Sequence, residues 1–232
     1  MTTLAIRARS EEQMDSAELD AETYARVLRD LARVNRWTFT AQPVLRYLDE
    51  AIGRLNRFRL LDVGFGAGDI LRAIAGWAQK RGIDAELVGV DLNPRSEAIA
   101  RAVTPPSMAI SYCTGDYHEV PGPFDFIISS QVAHHMSERE LDDFIAYMEE
   151  TARRGWLICD LHRHRFAHAG FPLLARLLGV HRIVREDGTL SIARAFRPRE
   201  WKDILGRAGI GDQAEVVRRF PFRLSVERIR RS

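Results

Sequence analysis

The sequence predicts an α/β chain built on a doubly wound, mostly parallel sheet. Three observations carry that expectation. From residue 58 onward, short apolar runs alternate with stripes of helical period, the pattern of strand–helix–strand units. Gly64, Gly66 and Gly68 mark the junction between the first run and the first stripe. The last two runs meet almost directly at Pro221. That junction is too short for a crossover helix, so the pair is antiparallel.

The elements follow in order. Residues 1–17 are polar, with Ser10, Glu11, Glu12, Gln13 and Asp15, and read as a loosely held tail. Tyr24, Val27, Leu28, Leu31 and Val34 then recur at helical spacing. A second helix opens near Pro43, a residue tolerated in a first turn. Its apolar face is Val44, Tyr47, Leu48, Ile52 and Leu55. Both helices precede the first strand, so 1–55 reads as a helical extension and 56–232 as the main domain. Strands are expected at 58–63, 85–91, 108–113, 124–130, 155–161, 214–220 and 222–229, which makes seven. Ile70, Leu71, Ile74, Trp77 and Ala78 form a helical stripe closed by Gly82. Further helices run over 94–103, from Ser137 with its capping partner Glu140, over 166–178, and from Pro198 to Gly209.

Composition excludes several classes. The chain has 232 residues, 46% hydrophobic and 28% charged, which is ample for a core and foreign to disorder. No apolar run approaches the roughly 20 residues that span a bilayer, and the N-terminus lacks a secretory apolar segment. Cys113 and Cys159 both fall in strands, which fits a reducing cytoplasm better than a disulfide framework. Residues 151–232 hold 18 Arg+Lys against 8 Asp+Glu, while 1–150 hold 16 against 24. A basic half suits an anionic partner, but only Lys80 and Lys202 are lysines, so arginine preference explains it equally well.

The segment LLDVGFGAGDI (60–70) is the sharpest feature. Glycines between strand and helix allow a tight turn and close approach to a ligand. The spacing is G-x-G-x-G after Asp62, and Asp69 stands where a dinucleotide fingerprint has its third glycine. Asp91 ends the second strand, where a carboxylate accepts bonds from both ribose hydroxyls of a nucleoside. The competing reading is that it caps the helix at Pro94. Asp116 follows the third strand and could accept a bond from a purine amine.

On these residues, the chain from about 58 to 230 resembles the class I S-adenosylmethionine-dependent methyltransferases. The resemblance implies a seven-stranded Rossmann-like sheet with an antiparallel last strand. It implies that Asp62, Gly64, Gly66 and Gly68 hold the amino-acid part of the cofactor, that Asp91 binds the ribose, and that Asp116 lies beside the adenine. Leu92, Tyr117 and Ser130 join them in the implied pocket. One departure is RRGWLICD, where Gly155 alone remains of the usual proline and two glycines. Within the family, the look is that of enzymes tailoring quinones and polyketides.

Methyl transfer from a sulfonium needs alignment above all. A base helps when the acceptor is a phenol or alcohol that must lose a proton. His134 and His135 follow the fourth strand, and His162 and His164 the fifth; these four are the candidate catalytic groups. Helix capping or pocket shaping competes for His135. No Cys or carboxylate completes a ligand set beside them, so no metal is expected. Asp160 could orient a histidine or cap a helix, and Arg163 and Arg165 could hold a substrate carboxylate or stand in solvent. The N-terminal helices, with Arg36, Trp37 and Phe39, and the apolar helix around Phe166, Phe171, Leu173, Leu174, Leu177 and Leu178 are expected to cover the cleft.

The leading expectation is methylation of a small, fairly apolar acceptor at oxygen, with carbon as the close competitor. A nucleic-acid or protein methyltransferase is the second, disfavoured because SSQVAHH replaces the family's Asn or Asp followed by two prolines and no RNA-binding module is visible. A non-catalytic cofactor-binding subunit is the third. A nicotinamide-dependent oxidoreductase is the fourth, against the glycine spacing. A homodimer is left open.

Overall fold

The computed structural model describes residues 4–230. Its elements are α1 (Ala21–Trp37), α2 (Ala41–Ala51), β1 (Arg57–Val63), α3 (Asp69–Arg81), β2 (Asp84–Asp91), α4 (Pro94–Val103), β3 (Ile110–Thr114), β4 (Phe124–Ser130), α5 (Glu138–Thr151), β5 (Ala152–Leu161), α6 (Arg165–Leu177), α7 (Arg182–Arg194), α8 (Pro198–Arg207), β6 (Glu215–Arg219) and β7 (Arg223–Ile229). The strands form one sheet in the order β3-β2-β1-β4-β5-β7-β6. β1 pairs in parallel with β2 and β4, β2 with β3, and β4 with β5. Only β7 runs against the rest, antiparallel to β5 and β6. All seven expected strands are present, and the tight junction at Pro221 makes the final pair antiparallel. The order reverses between β1 and β4, which opens a crevice beyond their carboxyl ends.

The central strands bury both faces, so they read as continuous apolar runs. On one face α5 and α8 place Leu141, Phe144, Ile145, Met148, Trp201 and Ile204 against Trp156 and Ile158. On the other, α2 and α3 place Tyr47, Leu48, Ile74 and Trp77 against Phe58, Phe126 and Leu157. A smaller cluster joins α1, α6 and α7 through Val27, Val34, Ala175, Ile183 and Val184. Local signals agree with the helix starts. Asp20 accepts from Thr23 N, and Ser137 and Glu140 form the expected capping box. No helix among the described residues is long and apolar enough to cross a membrane.

Two expectations are corrected. First, of the two N-terminal helices only α1 covers the cleft; α2 packs on the sheet because Val44, Tyr47 and Leu48 find their apolar partners there. Trp37 and Phe39 are exposed. Second, the N-terminal tail is held. Ala8 N donates to Ala193 O, Arg7 Nη2 donates to the carbonyls of His134 and Met136, and Gln13 N and Met14 N donate to Asp187. In addition, α7 fills the stretch after Gly179, to which the sequence reading assigned no element. His181 caps it by accepting from Ile183 N.

Gly155 shows how tightly β5 meets its neighbours. A Cβ there would lie 2.1 Å from Arg228 O and 2.5 Å from Tyr47 Oη. The first contact is backbone and cannot yield without breaking the β5–β7 register. Gly155→Ala is therefore expected to cost about 3 kcal/mol of stability, read by chemical denaturation.

Candidate active site

A cavity of about 610 Å³ lies over the switch point. Its floor is the loop after β1, the ends of β2 and β4, and Leu161 at the end of β5; its walls are α1, α6, α7 and the N-terminal strap.

The half over β1 and β2 carries the nucleoside signals. Asp62 is fully buried, and neither carboxylate oxygen has a partner among the described residues. Burial, then Asp69 and Asp91, push its pKa well above the carboxylate range. Such a group lacks a cationic partner, which the amino group of S-adenosylmethionine fits. Gly64, Gly66 and Gly68 all adopt positive φ. A Cβ on Gly64 would sit 2.4 Å from Val132 Cγ2, and one on Gly68 2.4 Å from Tyr112 Oη. The backbone can therefore run close to a ligand only with glycine.

Asp91 Oδ2 accepts from Gly66 N at 2.9 Å, and Oδ1 from Asn93 N at 2.9 Å. It ties the glycine loop to β2. The cap of α4 is Asn93, which accepts from Arg95 N, so the competing helix-cap reading of Asp91 falls. Leu92, Tyr117 and Ser130 line the cavity, and Ser130 Oγ has no partner among the described residues. Asp116 does not line it. That carboxylate caps the short turn Tyr117–Glu119, accepting from His118 N and facing the His118 ring at 2.9 Å.

The other half is apolar and ends on a polar cluster. Val27, Leu28, Leu31, Phe171 and Leu174 line it. His134 and His135 stand at its end, their ring centroids 4.3 Å apart. His134 is buried; its Nδ1 lies 2.7 Å from Asp160 Oδ1, and its backbone N donates to Asp160 Oδ2. Burial alone would strip its proton, but Asp160 and then Glu12 outweigh it and push the pKa up to about 9. Asp160 thus orients a histidine. Burial would raise its own pKa, yet His134 holds it low. His135 Nδ1 lies 3.1 Å from Asp15 Oδ2.

The structure adds residues that the sequence reading missed. Glu12 is 4% exposed and accepts from Ser191 Oγ at 2.8 Å. Arg194 donates to the carbonyls of His134 and Ser10. Asn35 donates to Asp69 Oδ2 and accepts from Gln131, linking α1 to both loops. The histidines after β5 stand apart: neither His162 nor His164 lines the cavity. The backbone of His162 is held by Phe222 O and bridges to Phe196, while burial, then His164, drives its pKa down to about 4. His164 caps α6 and stacks on Phe222. Arg163 is buried against Glu200, and Arg165 lies over the Phe166 ring, so neither is placed to hold a substrate carboxylate.

Comparison with known proteins agrees with this fold. Residues 60–155 match the family described as "Methyltransferase domain". A SAM-dependent methyltransferase from Aquifex aeolicus superposes with a TM-score of 0.62 at 18% identity, covering 91% of this chain and 99% of that one. Magnesium protoporphyrin IX methyltransferase from Synechocystis PCC 6803, with bound SAH, gives 0.55 at 18%, covering 93% and 90%. Human N-acetylserotonin methyltransferase in complex with SAM gives 0.63 at 14%, covering 92% and 57%. No curated protein matches the chain. Residues 60–155 thus carry a methyltransferase domain, on a sheet with the fold of these S-adenosylmethionine-dependent methyltransferases. The matched domain and the solved structures with bound SAM or SAH support S-adenosylmethionine as the cofactor.

Proposed function

We propose that this enzyme methylates a small, largely apolar acceptor of aromatic, quinone-like or polyketide-like character, at oxygen. The observation that carries the proposal is the chamber beside the cofactor half. Val27, Leu28, Leu31, Phe171 and Leu174 give it apolar walls, and Glu12, Asp15, His134 and His135 form a polar cluster on it. Such a chamber binds an apolar ring and orients a single polar group. The cofactor supplies an electrophilic methyl group. The chain's own task is to set the acceptor oxygen in line and to favour its ionised form.

In this reading Asp62, the glycine loop, Asp91, Leu92, Tyr117 and Ser130 hold the cofactor, and Asp116 shapes the turn that carries Tyr117. His134 and His135 meet the acceptor oxygen. His162 and His164 support α6 and the Phe222 loop. An acidic carbon of an enol or β-dicarbonyl would use the same chamber, and product analysis separates the two.

The test is transfer of labelled methyl to a panel of phenols, hydroquinones and enols. His135→Gln is expected to lower turnover about 100-fold or more, with cofactor affinity within threefold of the parent. Equal turnover in His135→Gln would remove His135 from the chemistry.

A further inference from the structure

We propose that Glu12, His134 and His135 form a binding site for one divalent transition-metal ion of the zinc type, with an open position toward the acceptor chamber. The inference rests on the reading of that chamber as the acceptor site. The sequence alone offered no carboxylate to complete a ligand set; the fold brings one in from the N-terminal strap.

Geometry is the first argument. Glu12 Oε1 lies 3.5 Å from His134 Nε2 and 3.8 Å from His135 Nε2. The three ligand atoms all fall within 4.8 Å of one another. These separations are long for hydrogen bonds. Around a zinc ion with bonds of about 2.1 Å, tetrahedral neighbours stand about 3.4 Å apart. The two Glu12 separations lie within about 0.4 Å of that spacing, and the imidazole nitrogens stand within 4.8 Å of each other.

The groups behind the ligands are the second argument. A metal-bound imidazole donates its other N–H to a carboxylate or carbonyl, which fixes its tautomer and aim. Both imidazoles have that partner. His134 Nδ1 faces Asp160 at 2.7 Å, and His135 Nδ1 faces Asp15 at 3.1 Å. Each Nε2 is thereby left as the free donor atom beside Glu12. Glu12 is itself steadied by Ser191 Oγ and by Arg194 Nη1 at 3.8 Å.

Charge is the third. Glu12, Asp15 and Asp160 place three carboxylates around two imidazoles, with Arg194 the guanidinium in ion-pair range of Glu12. Three carboxylates gathered on two imidazoles favour a cation among them. Two nitrogens, one carboxylate and an open fourth position form the ligand set of a catalytic rather than a structural zinc site. All three ligand residues line the cavity. An acceptor hydroxyl entering the open position would lose its proton to water and bind as an oxyanion. The site therefore selects phenols and enols over neutral amines.

The test uses the tag-free full-length protein, stripped with chelator and titrated with Zn²⁺ and Co²⁺, with S-adenosylmethionine binding measured in parallel. One equivalent of Zn²⁺ is expected to bind, and Co²⁺ is expected to give the visible bands of a tetrahedral site. Glu12→Gln and His135→Ala should each abolish stoichiometric binding. Asp15→Asn, which acts only through His135 and lies nearer the surface, should weaken it about tenfold. Absence of metal binding in protein that still binds the cofactor would overturn the metal site and leave the methyltransferase reading standing. Binding unchanged in Glu12→Gln, His135→Ala and Asp15→Asn would place the ion elsewhere and overturn it too. Loss of cofactor binding in the parent would count against the cavity reading itself.

Discussion

Asp91→Ala is expected to weaken S-adenosylmethionine binding about 100-fold, or about 2.7 kcal/mol. The carboxylate has two tasks at once. It ties the glycine loop through Gly66 N and turns back on Asn93 N, and its remaining lone pairs face the cavity it lines. Hydrogen bonds to a charged acceptor contribute about 1.5–3 kcal/mol each, so losing the ribose contacts alone reaches the stated loss. Burial raises the pKa of Asp91 despite the two backbone bonds, so its charge is held there at a cost. The mutation should therefore lower affinity strongly and thermal stability little. Titration calorimetry and a melting curve measure the two. An affinity within threefold of the parent would remove Asp91 from the cofactor site.

Asp160→Ala carries the largest expected effect on stability, a loss of about 3–5 kcal/mol. Asp160 is wholly buried and accepts from His134 N and Leu161 N while facing the His134 ring at 2.7 Å. Its removal leaves a buried imidazole without its carboxylate and two buried backbone donors unsatisfied, and each such donor costs about 1–3 kcal/mol. The companion variant is His134→Ala. If the two act as one unit, the double variant should cost clearly less than the sum of the singles. Denaturant titration of the four proteins measures this coupling. Strict additivity would show that Asp160 does not act through His134.

Much of this design is legible in the sequence. The buried strands announce themselves as apolar runs because both sheet faces are covered. The loop after β1 is legible because positive φ and close packing against Val132 and Tyr112 admit only glycine at 64 and 68. The site around Glu12 is hidden for a physical reason. The buried residues of α7 include Ile183, Val184, Asp187, Ser191 and Arg194, which do follow helical spacing. The apolar buried residues sit at the two ends, Ile183 and Val184 and then Ile192 and Ala193, while Asp187, Ser191 and Arg194 interrupt the stripe. They are polar because they reach the strap and the site: Asp187 takes Gln13 N and Met14 N, Ser191 donates to Glu12, and Arg194 reaches Ser10 and His134. Glu12 and Asp15, in turn, look like tail residues because nothing near them in sequence is apolar enough to mark burial. Asp116 illustrates the opposite case. A carboxylate after β3 suggested an adenine contact, but the turn that follows takes the side chain as its cap.

The most direct test of the central claim is calorimetric titration of the purified protein with S-adenosylmethionine, with S-adenosylhomocysteine and NADH alongside. The account predicts one site that binds both sulfur nucleosides at micromolar level and ignores NADH. A folded protein that binds neither sulfur nucleoside, or that binds NADH instead, would contradict it.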